Sequence, residues 1–484
     1  KNPNIEKAIF SSENDFSLNI SKKLKIKNIK IESKVNLDHL VVRNKFLDLK
    51  TYLPNLEKVI NFEKHVIKIK YNKDKLNIKG NGKILIKNKL DSINYEIIKN
   101  NDKFIFTTKT NLKNNKIFID FLDYKKKENL DASILIKGKL KKNDLINFDL
   151  ISLSEKKNII AIKNLSLSKD FKIISMDSLN FDYVNSKKIK NQLLLKKNNS
   201  NYTIEGKSFD ATKLINKIMA SDDESSPLFD NFNSKISLKI NKTYIDEVNF
   251  INNLSGILNF KDNKIVDLSL KSFFSGNKII NLSIKTNDKQ EKITKLSTDY
   301  PKPLIKRYKF IKGFEDGFLV YQSVKKNGVS NSLLTIDNFK VKKVPVFAKL
   351  LSLASLQGIA DLLTGEGIRF TDFEMKFSNK KALTTIEEMY AIGPAVSILM
   401  DGYIESKKLV SLRGTLVPAT TINRSIASIP LLGNILIGKK TGEGVFGVSF
   451  KIKGTPKDLK TTVNPVKTLT PRFITRTLEK IKNN

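Results

Sequence analysis

The sequence predicts a mainly β protein, an elongated antiparallel sheet with a few short α-helices, mostly in the C-terminal half. Three observations predict it. Apolar and polar residues alternate from about residue 15 to 340, which sends successive side chains to opposite faces of a strand. Runs of Asn, Asp, Gly and Lys separate the alternating stretches, as turns do. Helical periodicity is sparse over the same region.

In chain order, Leu76 to Gly80 and Lys83 to Lys87 alternate apolar residues with Lys or Asn, and Ser133 to Leu140 and Lys172 to Met176 give similar short runs. The clearest pattern spans Leu254 to Ile284. Leu254, Leu258, Phe260, Val266, Leu268, Leu270, Ile280, Leu282 and Ile284 share one parity, while Asn259, Asp267, Ser269, Asn281 and Ser283 occupy the other. Turns at Lys261–Lys264 and Ser275–Asn277 make this a three-stranded meander, greasy on one face. Helical signal appears at Phe46 to Phe62 (broken by Pro54), Asp210 to Met219 and Asp299 to Tyr308. The last two open on an Asp able to cap the first turn. After residue 340 Gly and Pro cluster, and six of the seven Arg lie beyond residue 300. These shifts divide the chain into a Lys/Asn-rich strand region (1–200), a meander with Asp-capped helices (201–340) and a C-terminal domain (341–484).

Composition excludes several chemistries. Without cysteine there is no disulfide framework, thiolate zinc site, iron–sulfur cluster or cysteine nucleophile, and His39 and His65 cannot form a three-histidine metal site. The 87 Lys and Arg against 49 Asp and Glu give a net charge of +38, which attracts polyanions. Nearly all of that charge is Lys, whereas Arg is the residue suited to base edges and bidentate phosphate contacts, so nucleic acid is not the expected partner. No apolar stretch approaches the roughly 20 residues needed to span a bilayer. Val346 to Leu363 is the longest, interrupted by Lys349, Gln357 and Asp361, and reads as a buried or interfacial helix with Leu350, Leu353 and Leu356 as docking positions.

No catalytic constellation stands out, and no cofactor or metal is expected. Gly365-Glu366-Gly367 and Gly442-Glu443-Gly444 resemble fragments of phosphate loops, but neither continues into a complete motif, and both read as tight turns. The loop Ile429 to Gly438 places Ile429, Leu431, Leu432, Ile435 and Leu436 directly before Lys439 and Lys440. It suits either a membrane interface, with lysines at the headgroups, or a core loop capped by surface lysines. As a helix, Thr470 to Ile481 sets Phe473 and its apolar neighbours beside Arg476, for docking on a membrane or on the sheet.

The C-terminal sequence carries a resemblance. Residues 344–375 (VPVFAKLLSLASLQGIADLLTGEGIRFTDFEM), then Ala391 to Ala395, GTLVPATTIN, IPLLGNILIG, GEGVFGVSFKIKG and Val463-Asn464-Pro465 resemble, in order, the AsmA-like C-terminal domain of YhdP-type envelope proteins. Thr420, Thr421 and the stretch after Pro465 depart from the family pattern. Upstream the likeness thins to Phe209-Asp210-Ala211 and Ser297-Thr298-Asp299.

The resemblance implies a periplasmic protein of a Gram-negative envelope, held in the inner membrane by an N-terminal helix preceding this sequence, which opens at Lys1 like a processed form. It also implies a long sheet curled into an open, bridge-like lipid-transfer groove that moves phospholipid toward the outer membrane and maintains outer-membrane integrity. Partners would be phospholipid and the two membranes or their proteins; oligomeric state is open. Independently, a one-sided apolar sheet with few helices must close on itself, be covered, or hold something apolar. Two rival functions remain: an assembly factor with a closed β core, and a basic binder of a polyanion such as lipopolysaccharide.

Overall fold

The structure is a computed structural model that describes residues 4–24, 26–44, 47–86, 89–141, 145–168, 170–220, 232–305, 312–343, 365–406, 408–418, 448–456 and 458–463. Strands take 74% and helix 5%, so the chain is mainly β. Two compact units divide it, Lys1–Ile265 and Val266–Asn484.

The first unit begins with β1 (Ile5–Ile20), β2 (Ile26–Arg43), β3 (Val59–Asn72), β4 (Lys75–Ile86), β5 (Lys89–Asn100) and β6 (Lys103–Asn111). A small hairpin, β7 (Ile117–Ile119) with β8 (Tyr124–Lys126), leads to β9 (Ala132–Lys141), β10 (Ile146–Glu155), β11 (Asn158–Leu167) and the short β12 (Ile173–Ser175). Then come β13 (Ser178–Val184), β14 (Lys190–Asn198), β15 (Asn201–Asp210), helix α1 (Thr212–Ala220), β16 (Ser234–Tyr244) and β17 (Phe250–Lys261). Neighbours pair antiparallel from β1 through β6 to β9 and on to β15, with β12 and β13 both set on β11. The all-antiparallel expectation fails once: β15 and β16 are parallel, because residues 211–233, including α1, bring the chain back to run in the same direction.

The second unit holds β18 (Lys264–Phe273), β19 (Ile279–Thr286), β20 (Lys292–Thr298), α2 (Lys302–Ile305), β21 (Lys312–Lys326), β22 (Val329–Lys343), β23 (Ile368–Lys380), β24 (Leu383–Ile392), β25 (Val396–Glu405), β26 (Leu409–Pro418), β27 (Val448–Thr455) and β28 (Asp458–Val463). All pair antiparallel in chain order. Phe314, Phe339 and Phe370 stack across β21, β22 and β23, with ring centroids 5.2 and 5.3 Å apart.

Tight turns set this meander. Lys73-Asp74, Asp262-Asn263 and Asn327-Gly328 are pairs with positive φ, the backbone of two-residue hairpins whose twist matches the strands. The turns expected at 261–264 and 275–277 fall where the sequence placed them. The helices are shorter than the sequence suggests. Instead of a helix over Phe46 to Phe62 there is a 3-10 turn at Leu47–Thr51, and Val59 and Ile60 pair with Arg43 and Val42 in the ladder. Pro54 interrupts the helical pattern, and β-branched residues favour the strand. The Asp210 carboxylate accepts the Thr212 amide at 3.0 Å and starts α1 as expected. The helix from Asp299 reduces, among the described residues, to the single turn Lys302–Ile305. Those expected over Val346–Leu363 and Thr470–Ile481 lie outside the described residues.

Kinks within the strands explain where strict parity fails. Asn253 and Asn338 have φ of 52° and 52°, and the ladder skips a residue at each. Leu254 faces inward on even parity while Ile251, before the kink, is buried on odd parity; Ile336 and Phe339 are both buried across Asn338. Asn tolerates left-handed backbone better than most residues, so it serves these positions.

Aromatic rings lie over glycines on the neighbouring strand. A Cβ at Gly138 would sit 2.6 Å from Phe106 Cζ and 2.7 Å from the Asn147 carbonyl oxygen, whereas Gly276 has open space around it. Gly138→Ala should therefore cost about 1–3 kcal/mol through overpacking. Gly276→Ala, whose penalty is only the positive φ, should cost about 1 kcal/mol. Denaturant unfolding of both variants checks the order.

Candidate functional site

Residues directly opposite in a ladder share a face, so the register reads out rows that run across the strands. One row of the first unit passes from Val35 through Ile67, Gly80, Tyr95, Thr108, Ile136, Ile151, Ile162, Leu179, Leu195, Ile204 and Leu238 to Gly256. It crosses thirteen strands without a charge. Every member is half-buried except Gly80, which lies under the Tyr95 ring. A parallel row nearer the other strand ends joins Ile134, Leu153, Ile160, Phe181, Leu193, Gly206, Ile240 and Leu254.

In the second unit the corresponding row is Leu270, Leu282, Leu296, Tyr321, Leu334, Met375, Met389, Met400, Gly414, Phe450 and Val463. Its members are half-buried from β18 to β23 and buried from β24 to β27. Three of the chain's five Met sit together here, side chains that adapt their shape to irregular apolar partners. Beside this row a hydroxyl patch interrupts the apolar face: Ser332 donates to Ser323 at 3.0 Å, Ser323 and Ser330 are 2.6 Å apart, and the Tyr321 hydroxyl is 3.2 Å from Ser332.

Of the nine sequence-derived groove candidates, Leu254, Leu270 and Leu282 lie in these rows and the others beside them. Leu254 is opposite Ile240, Leu258 opposite Ile236, and the Phe260 ring is 5.2 Å from Phe232 in the first unit. In the second, Leu268 faces Ile284 and Leu270 faces Leu282, with Ile280 opposite Ser272. Val266 is half-buried on the same parity, and Leu268 is the most buried of the nine. Leu350, Leu353, Leu356, Ile429, Leu431, Leu432, Ile435, Leu436, Lys439, Lys440, Phe473 and Arg476 lie outside the described residues. Upstream of residue 200 the sequence reading found the runs that hold Gly80, Ile134 and Ile136 but not the rows they join, and it passed over Ile67 although His65 to Tyr71 alternates. Of the resembling block, Gly367 (φ 88°) turns the chain into β23, and Ile368 and Phe370 enter the core.

Residues 112–131 plug one margin of the first unit's face. Leu112, Ile117, Leu122 and Tyr124 cluster with Leu153, Tyr183, Phe209 and Ile240. Lys126 is fully buried, its Nζ donating to the carbonyls of Leu112, Lys113 and Asn115, and burial lowers its pKa against the attraction of Asp91. The Tyr183 hydroxyl donates to the Leu122 carbonyl at 2.8 Å, and the Tyr124 hydroxyl donates to Glu155. Burial pushes both phenols well above their usual value, with the Glu155 carboxylate adding to the shift at Tyr124. His65 is fully buried: its Nε2 lies 2.9 Å from the Lys83 carbonyl oxygen and its ring packs over Gly82. Among the described residues no three His, Cys, Asp or Glu are grouped to hold a metal, and no helix is long and apolar enough to cross a membrane.

Compared with known proteins, the chain matches no family model and no curated protein.

The buried phenols have a pH consequence. Their folded pKa lies above the unfolded value near 10. Their contribution is therefore complete below about pH 10 and is lost as pH rises beyond it, because only the unfolded chain releases those protons. Of the twelve Tyr, Tyr124 and Tyr183 should ionise only on unfolding, and Tyr183→Phe should flatten the alkaline fall in stability. Tyrosinate absorbance followed alongside circular dichroism checks both.

Proposed function

We propose that this is a non-enzymatic lipid-binding protein of a Gram-negative envelope, carrying phospholipid along an apolar β-groove between inner and outer membrane. The observation that carries the reading is the uncharged, half-buried row of the first unit. Twelve strand-to-strand steps of about 4.8 Å make it about 58 Å long. An apolar surface of that length is costly to leave in water, and each methylene laid on it gains about 0.8 kcal/mol. We infer that the sheet curls around this face into an open trough. Acyl chains lie along the rows, headgroups stay at the lysine-bearing margins, and a lipid slides between equivalent sites without re-entering water. The resemblance to the AsmA-like domain supplies the rest of the proposal: a periplasmic location with an N-terminal inner-membrane anchor, delivery toward the outer membrane, and membranes or their proteins as partners.

A sealed core is the competing reading, and burial favours it for one part: Met389, Met400 and Phe450 are already covered. Taken unit by unit, the face we propose for lipid is the row of the first unit and, separately, the half-buried row over β18 to β23 of the second.

Photo-crosslinking tests the reading without depending on destabilised variants. A benzophenone side chain at position 282 should capture phospholipid from cells, and one at position 281, on the opposite face, should not. Native mass spectrometry of the gently purified protein should find phospholipid that folded Leu282→Asp and Leu268→Asp variants retain at about a tenth of the level or less, since a carboxylate on the face costs several kcal/mol. A lipid-free wild type with no crosslink at 282 would sink the proposal.

A further inference from the structure

The polar face of the first unit has a row of its own, and it is a lysine ladder. Lys34 lies opposite Lys68, and Lys68 opposite Lys79, on β2, β3 and β4. The row continues through Glu96 and Thr107 to Lys137 on β9, then through Leu150 to Lys163 on β11 and through Ser178 to Lys196 on β14. All six lysines are exposed. Lys79 pairs with Glu96 at 3.0 Å, and the other five form no ion pair among the described residues. Like charges directly opposite in a ladder repel, so stability gives no reason for three lysines in succession.

The flanking rows, about 7 Å away along the strands, are different. One carries Asp15 and Glu32 with Lys70 and Lys139, which pair with Glu32 and Asp149, and the other carries Glu205 with Lys109 and Lys239, so neither is a run of lysines. A flat anionic surface would cover the carboxylates of the flanking rows together with their lysines, whereas a thin polymer lying along the central row would meet mainly lysines. The ladder and its two neighbouring rows contain no aromatic residue and no Arg, so a nucleic-acid strand would find charge without a stacking platform or a bidentate fork.

We propose that this row binds a linear acidic polysaccharide, a chain bearing repeated carboxylates, laid across the strands on the face opposite the apolar rows. From Lys34 to Lys196 the track is nine strand-to-strand steps, about 43 Å. Each ammonium acts as a point charge, so affinity grows with the number of sugars engaged and falls with salt.

The test uses the whole chain and labelled alginate, a polyuronate. The triple substitution Lys137→Gln, Lys163→Gln and Lys196→Gln should weaken binding about tenfold or more and lower the salt slope by the contacts removed. Removing the same charge from turns and loops of the same unit, by Lys157→Gln, Lys172→Gln and Lys188→Gln, should leave affinity within about twofold. All six positions are exposed, and circular dichroism of each triple confirms the fold. Equal losses in the two triples would show that net charge alone attracts the polymer, and would overturn the proposal. So would tighter binding to oligothymidine or to phosphatidylglycerol vesicles than to alginate. Lipid retention in the lysine triple should match wild type, so failure here is separable from failure of the groove.

Discussion

Everything in this chain depends on cross-strand register. A strand's side chains have period two, so a slip of one residue would exchange the faces of every strand beyond it. Here Ile67, Ile136, Ile162, Leu195 and Leu238 come from stretches far apart in sequence, and they align only because each connection, hairpin or longer, hands the next strand the correct parity. The left-handed pairs Lys73-Asp74 and Asn327-Gly328 do that locally, each fixing one hairpin by its turn length. Along these rows the chain's apolar residues gather in three clusters of buried side chains, two in the first unit and one in the second.

Much of this was legible from alternation. The meander at residues 250–286, the turns that divide it and the Asp-initiated α1 all follow from period-two patterning and local hydrogen bonding. What the sequence could not disclose was where parity changes. Asn253 looks like another polar strand residue, and only its left-handed backbone reveals that Ile251 and Leu254 share a face. Phe339 and Val341 sit on the opposite parity from Leu334 and Ile336 for the same reason at Asn338. The parallel pairing of β15 with β16 was equally hidden, since an alternating run does not state its direction. The candidates of β18 and β19, by contrast, fall in stretches free of such kinks, and Leu268 opposite Ile284 and Leu270 opposite Leu282 keep one parity across that pair.

The plug at residues 112–131 solves a problem that repetition alone cannot. Long ladders leave carbonyls pointing inward where a connection crosses the face, and a buried unpaired carbonyl is expensive. Lys126 answers three of them with one ammonium, and Asp91, held by Asn114 and Asn115, lies among the charges that offset its burial. Burying a lysine without such partners would instead drive it to its neutral form. The margin under the plug is therefore closed by polar satisfaction as much as by Leu112, Leu122 and Tyr183. At the opposite margin Leu165, Met176 and Tyr202 pack together, and the Tyr202 hydroxyl meets the Met176 backbone.

A strand has two faces, and this chain gives them different chemistry over the same length. Lys68 stands between Ile67 and Ile69, and Lys137 between Ile136 and Gly138, so these ladder positions place an ammonium on one side and an apolar group on the other. Lysine suits such a position because its aliphatic stem lies against the sheet while its charge reaches water. The two surfaces share a backbone but no side chain, which makes them independent to first order: removing charge from Lys137 or Lys163 leaves Ile136 and Ile162 in place. Coupling between them would have to pass through strand register, the one property both faces read. Substitutions at the kinks, Asn164 or Asn253, are then the changes that would disturb both faces at once.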